Sequence, residues 1–178
     1  MNLPSLIENP LQAAMLDVDF YNRAEVDTSL NASAAIVVVV ANGLAGFGST
    51  VAAESTAAGD IGIAVALGVL SGVAGWLVWS WVANLVGTRL FGGTSDFGQM
   101  RRVIGFAYAP LVIGVVPWLG FIGAAWVLLA AVIAIREGMD FSTKRSVATM
   151  VTGWGAWLLA TVAINVVLDW DMRASWPF

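Results

Sequence analysis

The sequence predicts an all-α membrane protein, a bundle of five transmembrane helices preceded by a short amphipathic N-terminal helix. Three observations lead there. Between Asp60 and Arg89 lie 28 residues, 61–88, without a charge, and about 20 apolar residues suffice to cross the roughly 30 Å hydrocarbon core of a bilayer. Over the 178 residues, 59% are hydrophobic and 11% charged, whereas soluble domains carry about a quarter charged residues, so a water-soluble fold could not cover itself. Stretches 36–40 and 124–135 are apolar on every side, unlike transmembrane β-strands, which alternate over about ten positions. In lipid such a chain satisfies its backbone as helices.

Residues 1–30 form an N-terminal segment expected on the cytoplasmic side. Asn9 and Pro10 read as an N-cap and first helical residue, and Leu11, Met15 and Val18 follow at i, i+4 and i+7. Asp17, Asp19, Glu25 and Asp27 argue against deep burial, so a short helix at the membrane surface or packed on the bundle is expected. The segment lacks the basic start and apolar core of a secretory signal peptide.

The membrane domain is expected over 31–168, with an outward-facing tail at 169–178. Span 1 covers 31–53, and Glu54 and Asp60 bracket the loop after it. Span 2 covers 61–87, and a polar, glycine-rich stretch fills 88–102. There Gly92 and Gly93 suit a turn with positive φ, and Asp96 stands between Arg89 and the pair Arg101 and Arg102, placed for local ion pairing. Span 3, 103–117, contains Pro110, expected to kink it. A tight turn at 117–120 leads to span 4, 121–135; a charged loop, 136–145, leads to span 5, 146–168. Spans 3 and 4 are short, and Arg101, Arg102 and Arg136 could extend them by snorkelling.

Five spans put Arg23, Arg89, Arg101, Arg102, Arg136, Lys144 and Arg145 on one side and Arg173 on the other. Seven against one predicts a multi-pass protein of the cytoplasmic (inner) membrane with its N-terminus inside and its C-terminus outside. Small residues repeat every four positions at Ala64, Gly68 and Gly72 and at Gly105 and Ala109, and Gly43, Gly46 and Gly48 line span 1; such patterns let helices approach closely in lipid. Trp79 and Trp81, like Trp118, Trp170 and Trp176, fall where interfacial anchors are expected. Trp126, Trp154 and Trp157 fall deeper.

The chemistry the spans lack narrows function. The chain has no cysteine and no histidine, so no disulfide, no Cys/His zinc site and no His-ligated haem is expected, and no cofactor is predicted. No acid or base lies inside a span core, which counts against proton- or ion-driven transport. Serines have no neighbouring base. The polar groups left in the spans are the amides Asn42, Asn84 and Asn165, expected to hydrogen-bond between helices at about 0.6 kcal/mol each. Eight scattered basic residues and a net charge of −4 give no nucleic-acid footprint.

The stretch 84–110, NLVGTRLFGGTSDFGQMRRVIGFAYAP, resembles the central signature of Yip1-domain membrane proteins. The matching positions are Gly92, Gly93, Phe97, Gly105, Tyr108, Ala109 and Pro110. Stretch 117–126 resembles that family's turn between spans 3 and 4, and 134–137 with 141–146 its loop before span 5. The stretch 19–23 resembles its lead-in to span 1. The resemblance covers residues 17–168 and implies five spans with the N-terminus inside. Eukaryotic members act in vesicle traffic with small GTPases and carry longer cytosolic N-terminal regions; this chain is similar to the compact prokaryotic form, so GTPase binding is not carried over. Gly92, Gly93, Phe97, Tyr108 and Pro110, with the three asparagines, are the candidate structural or partner-contact residues.

The expected function is that of a non-enzymatic scaffold or accessory subunit. It would contact lipids and other integral membrane proteins, as in a respiratory or photosynthetic assembly. The alternative is a transporter of a small molecule or lipid, with the asparagines lining its path.

Overall fold

The computed structural model describes residues 5–54 and 57–174, and the side chains of 157, 160, 161 and 163–174 fall outside that description. Among the described residues all regular structure is helical: α1 (Ser5–Ala14), α2 (Val18–Val26), a 3₁₀ turn (Thr28–Leu30), α3 (Asn31–Ala52), α4 (Ala58–Leu90), α5 (Phe97–Ala107), a 3₁₀ helix (Ala109–Val115), α6 (Gly120–Gly138) and α7 (Thr143–Ala174). Three of these elements are long and apolar enough to cross a bilayer: Thr28–Ala52, Ala58–Leu90 and Gly120–Gly138.

The N-terminal segment differs from its expected form. It holds two helices, not one, and α1 begins at Ser5 with Pro10 inside it. The Asn9–Pro10 start signal is overridden, and the proline removes one backbone donor from the helix. Leu16, at φ 63°, closes α1: Asp17 N donates to Gln12 O (3.0 Å) and Leu16 N to Ala13 O (3.0 Å). That is a Schellman closure with leucine where glycine is usual. Asp17 then caps α2, its Oδ1 accepting from Phe20 N at 3.2 Å. The acids of α2 stay at the surface, but the residues between them do not. Phe20, Tyr21 and Ala24 are buried, and Phe20 meets Phe106 edge-on with centroids 4.9 Å apart. Both edge-to-face geometry and apolar burial hold α2 on the bundle.

α3 and α4 run antiparallel in close contact, as the small residues predict. A Cβ at Gly46 would lie 2.6 Å from Ala64 O, and one at Gly68 2.7 Å from Asn42 O. Glycine at both positions lets the backbones touch. α4, about 50 Å long at 1.5 Å per residue, continues to Leu90, so the connecting loop is 91–96 and not 88–102. The second half of α5, 102–107, is buried, with Val103, Ile104, Phe106 and Ala107 in the core beside Met100, while Phe97 at its start is exposed.

Pro110 does not kink a continuous span 3. α5 ends at Ala107, and the chain rewinds as a 3₁₀ helix. Proline cannot donate, and its ring disfavours α geometry at the residue before it. This non-α stretch packs in a groove of small residues: a Cβ at Gly48 would collide with Gly114 O, and one at Gly123 would come within 3.2 Å of Pro110 O. The turn after it is formed as expected, with Leu119 N donating to Val116 O at 3.2 Å. Trp118 holds its left-handed corner (φ 73°) and is 83% exposed.

α7 packs antiparallel to α4, with Gly153 against the Trp79 ring. It stays helical to Ala174, so the stretch expected as a tail begins as helix. The candidate amide Asn165 lies on α7, with its side chain outside the described residues. Trp79 is buried, 4% exposed, and is not an interfacial anchor; Trp81, two residues on, points outward.

Candidate functional site: a closed loop junction and a lateral cavity

The candidate residues fall into two places. The first is the end of the bundle where α4 stops, α5 starts and α6 turns into α7. Gly92 adopts φ 71°, the left-handed conformation glycine reaches without cost, and Gly93 N donates to Gly87 O at 2.9 Å. Gly93 has no positive φ; its reason is space, since a Cβ there would sit 2.8 Å from Phe141 Cζ and 3.1 Å from Met139 Sδ. Phe141 in turn meets Phe91 edge-on at 6.4 Å. Asn84 binds no other helix. Its Nδ2 donates to Ser95 O (3.0 Å) and Ser95 Oγ (3.2 Å), tying the loop to α4.

Asp96 is a cap and not an ion-pair partner. Its Oδ1 accepts from Gln99 N (2.9 Å) while Gln99 Oε1 accepts from Asp96 N (2.7 Å), a capping box that satisfies two orphan donors at the start of α5. Phe97, the first residue of α5, carries the Arg101 guanidinium 5.9 Å from its ring centroid.

The adjacent Arg102 is 4% exposed. Its Nε donates to Ala24 O (3.0 Å), its Nη1 to Asn31 Oδ1 (3.3 Å) and its Nη2 to Glu25 O. The guanidinium thus closes the C-terminus of α2, where unpaired carbonyls and the helix dipole favour a cation. By sequence alone Arg102 reads as one more interfacial charge. The only signal for its burial was its place beside small and apolar residues, at the start of 102–107.

The second place is a cavity of about 720 Å³ among α3, α4, α6, α7 and the 3₁₀ helix. Two candidates line it, Asn42 and Tyr108; Asn84 does not. Asn42 turns its Nδ2 back to Val38 O (2.8 Å) in its own helix, not across to another. α4 contributes Ser71, Gly72, Gly75 and Trp79 to the wall, and the Trp79 and Tyr108 rings meet edge-on at 6.1 Å. α6 contributes Phe121, Ala124, Ala125 and Leu128, and α7 contributes Trp154. Pro110 lies beside this wall, its carbonyl against Gly123. No charged residue lines the cavity, and no group of three potential metal ligands occurs among the described residues. The wall offers apolar surface, an amide, hydroxyls and indoles, which suits binding of an uncharged group.

The model of the Yip1 domain matches residues 17–165 of this chain. No curated protein and no solved structure matches it.

Proposed function

The chain belongs to the Yip1-domain family, and from that premise we propose that it is a five-span protein of the cytoplasmic membrane that acts by binding, as a non-enzymatic scaffold or accessory subunit. Its partners are lipids and other integral membrane proteins, of the kind found in respiratory or photosynthetic assemblies. Its N-terminus lies inside and its C-terminus outside, as the seven-to-one distribution of basic residues favours. α7, with 32 residues, is long enough for the fifth crossing. α5 and the 3₁₀ helix, 11 and 7 residues, add up to about 31 Å end to end at their respective rises. Non-α backbone at membrane depth is tolerated where protein buries it, and Gly48 and Gly123 bury this stretch.

The observation that carries the reading is the outward row of apolar side chains on the long helices, such as Ile63, Leu67 and Leu70 of α4 and Leu129 of α6. Such surfaces bind by shape and dispersion. Native electrophoresis of gently solubilised membranes, followed by mass spectrometry of the band, should show the chain in a complex far larger than 18.7 kDa plus its detergent belt. The cavity favours a second reading, carriage of a lipid or small molecule. A monomeric band together with substrate-dependent flux in reconstituted vesicles would replace the first reading with the second.

A further inference from the structure

We propose that the cavity is a lateral slot for one acyl chain of a membrane phospholipid, entered tail-first with the headgroup left at the interface. This rests on the reading above that the bundle spans a bilayer. Three features of the cavity carry it.

The slot opens sideways. Phe121 is 82% and Trp154 38% exposed, and Ala124 and Ala125 between them are exposed too, although all four line the cavity. These α6 residues lie in its first turns, at the end opposite the basic loops. In a bilayer the molecules facing that opening are lipid chains.

The wall excludes charge. A headgroup drawn inside would leave water without an ionic partner, at a cost of several kcal/mol or more. Two polar side chains of the wall are committed within their own helices, whereas the buried Trp79 Nε1 has no partner among the described residues. Asn42 donates to Val38 O, and Ser71 Oγ donates to Leu67 O at 2.7 Å, each within its own helix. The rest of the wall is mainly apolar; Gly72 seats the Asn42 side chain, and the small Ala124 and Ala125 keep the α6 side of the slot open.

The volume, about 720 Å³, lies within the roughly 300–1,000 Å³ range of pockets that bury ligands. Left empty, such a space forfeits dispersion contacts along its whole lining. A flexible chain restores them without any new hydrogen bond.

The test uses the full chain reconstituted in phosphatidylcholine vesicles containing a small share of phosphatidylcholine with a photoactivatable diazirine on one acyl chain. After irradiation, adducts are mapped by mass spectrometry. Adducts should concentrate on Leu111, Ala125 and Leu128 over the outward-facing Leu67, Leu70 and Leu129. Ala125→Trp, which fills the slot, should abolish the adducts at Leu111 and Leu128; Leu129→Trp, on the exposed side of the same helix, should leave them. Adducts spread evenly around the bundle overturn the proposal, and this wild-type map decides even where Ala125→Trp fails to fold. Loss of labelling in Tyr108→Phe overturns tail-first entry, because only a polar end placed deep in the slot would need that hydroxyl. Labelling by a diazirine fatty acid but not by the phospholipid overturns the assigned source. A failed map leaves the scaffold reading standing, since that reading is judged by the size of the native complex.

Discussion

Asp140 sits where helices commonly place glycine. With φ 52° it closes α6, Phe141 N donating to Arg136 O (2.9 Å) and Asp140 N to Glu137 O (3.3 Å), a Schellman pair. Its left-handed backbone carries a strain that glycine lacks, so Asp140→Gly should raise stability by about 1 kcal/mol, read from thermal unfolding in detergent. Asp140 also acts on Glu25. Burial first, then Asp140 and Glu137, hold the Glu25 carboxyl above the usual carboxylate range, against the pull of Arg102. An acid with a raised value contributes stability that is present below its ordinary range and lost as pH rises through the raised value. Asp27 runs the opposite way. The Ser29 side chain and backbone hydrogen-bond to it and lower it, so its contribution is present above the ordinary range and lost on acidification. Glu25→Gln should therefore stabilise the fold near neutral pH and leave it unchanged well below the ordinary carboxylate range. A melting-temperature series over pH would refute this if the variant gained nothing at neutral pH. Arg102 is a different matter. Removing a buried guanidinium orphans the carbonyls of Ala24 and Glu25, which costs about 1–3 kcal/mol each. Arg102→Lys should rescue little, because an ammonium lacks the planar fork that reaches three acceptors at once. Protease sensitivity of α2 is the readout.

At the scale of elements, the sequence read well where one physical rule acted alone. The Ala64–Gly68–Gly72 stripe marked the α3–α4 contact because small residues at that spacing have one common use in lipid, and close packing lies behind it. It read poorly where two rules competed. Asn9–Pro10 has the chemistry of a helix start, but α1 starts earlier and tolerates the proline. Pro110 within an apolar run suggests a kink, yet Gly48, Gly114 and Gly123 supply the room for a complete change of winding, and that pairing spans residues distant in sequence. Gly48 shares its spacing with Gly43 and Gly46, but it faces the 3₁₀ helix while they face α4. The cavity was hardest to see, since its wall comes from five elements and nearly half of it is glycine, alanine and leucine. Only Asn42 and Tyr108 signalled it. Gly48→Ala tests the element-level account. Its Cβ meets Gly114 backbone, which cannot move aside as a side chain would, so the loss should reach the 1–3 kcal/mol typical of overpacking or more. Gly62→Ala, where a Cβ meets nothing, should be neutral or slightly stabilising. Equal melting temperatures for the two variants would contradict the packing described.

At the scale of the whole molecule, the question is whether α5, the 3₁₀ helix and α6 make two crossings or a hairpin that enters and leaves on one side. Either arrangement keeps the remaining helices in the same orientation, so the basic-residue count alone does not choose. Length does. α6, with 19 residues, reaches about 29 Å, nearly the same as the roughly 31 Å of α5 plus the 3₁₀ helix, and both approach the hydrocarbon thickness. Two segments of matched length joined by a four-residue turn would deliver that turn to the opposite surface. The turn's composition agrees, since Trp118 stands exposed at its corner, and an indole is at home at headgroup level but not unpaired at the bilayer centre. The chain has no cysteine, so single cysteines report position without a background. Trp118→Cys and Ala57→Cys should react with a membrane-impermeant thiol reagent applied from outside intact cells, whereas Thr94→Cys and Ser142→Cys should react only after permeabilisation. A re-entrant hairpin would shield Trp118→Cys from the outside reagent while leaving the other three results intact, and that single difference decides between five crossings and three.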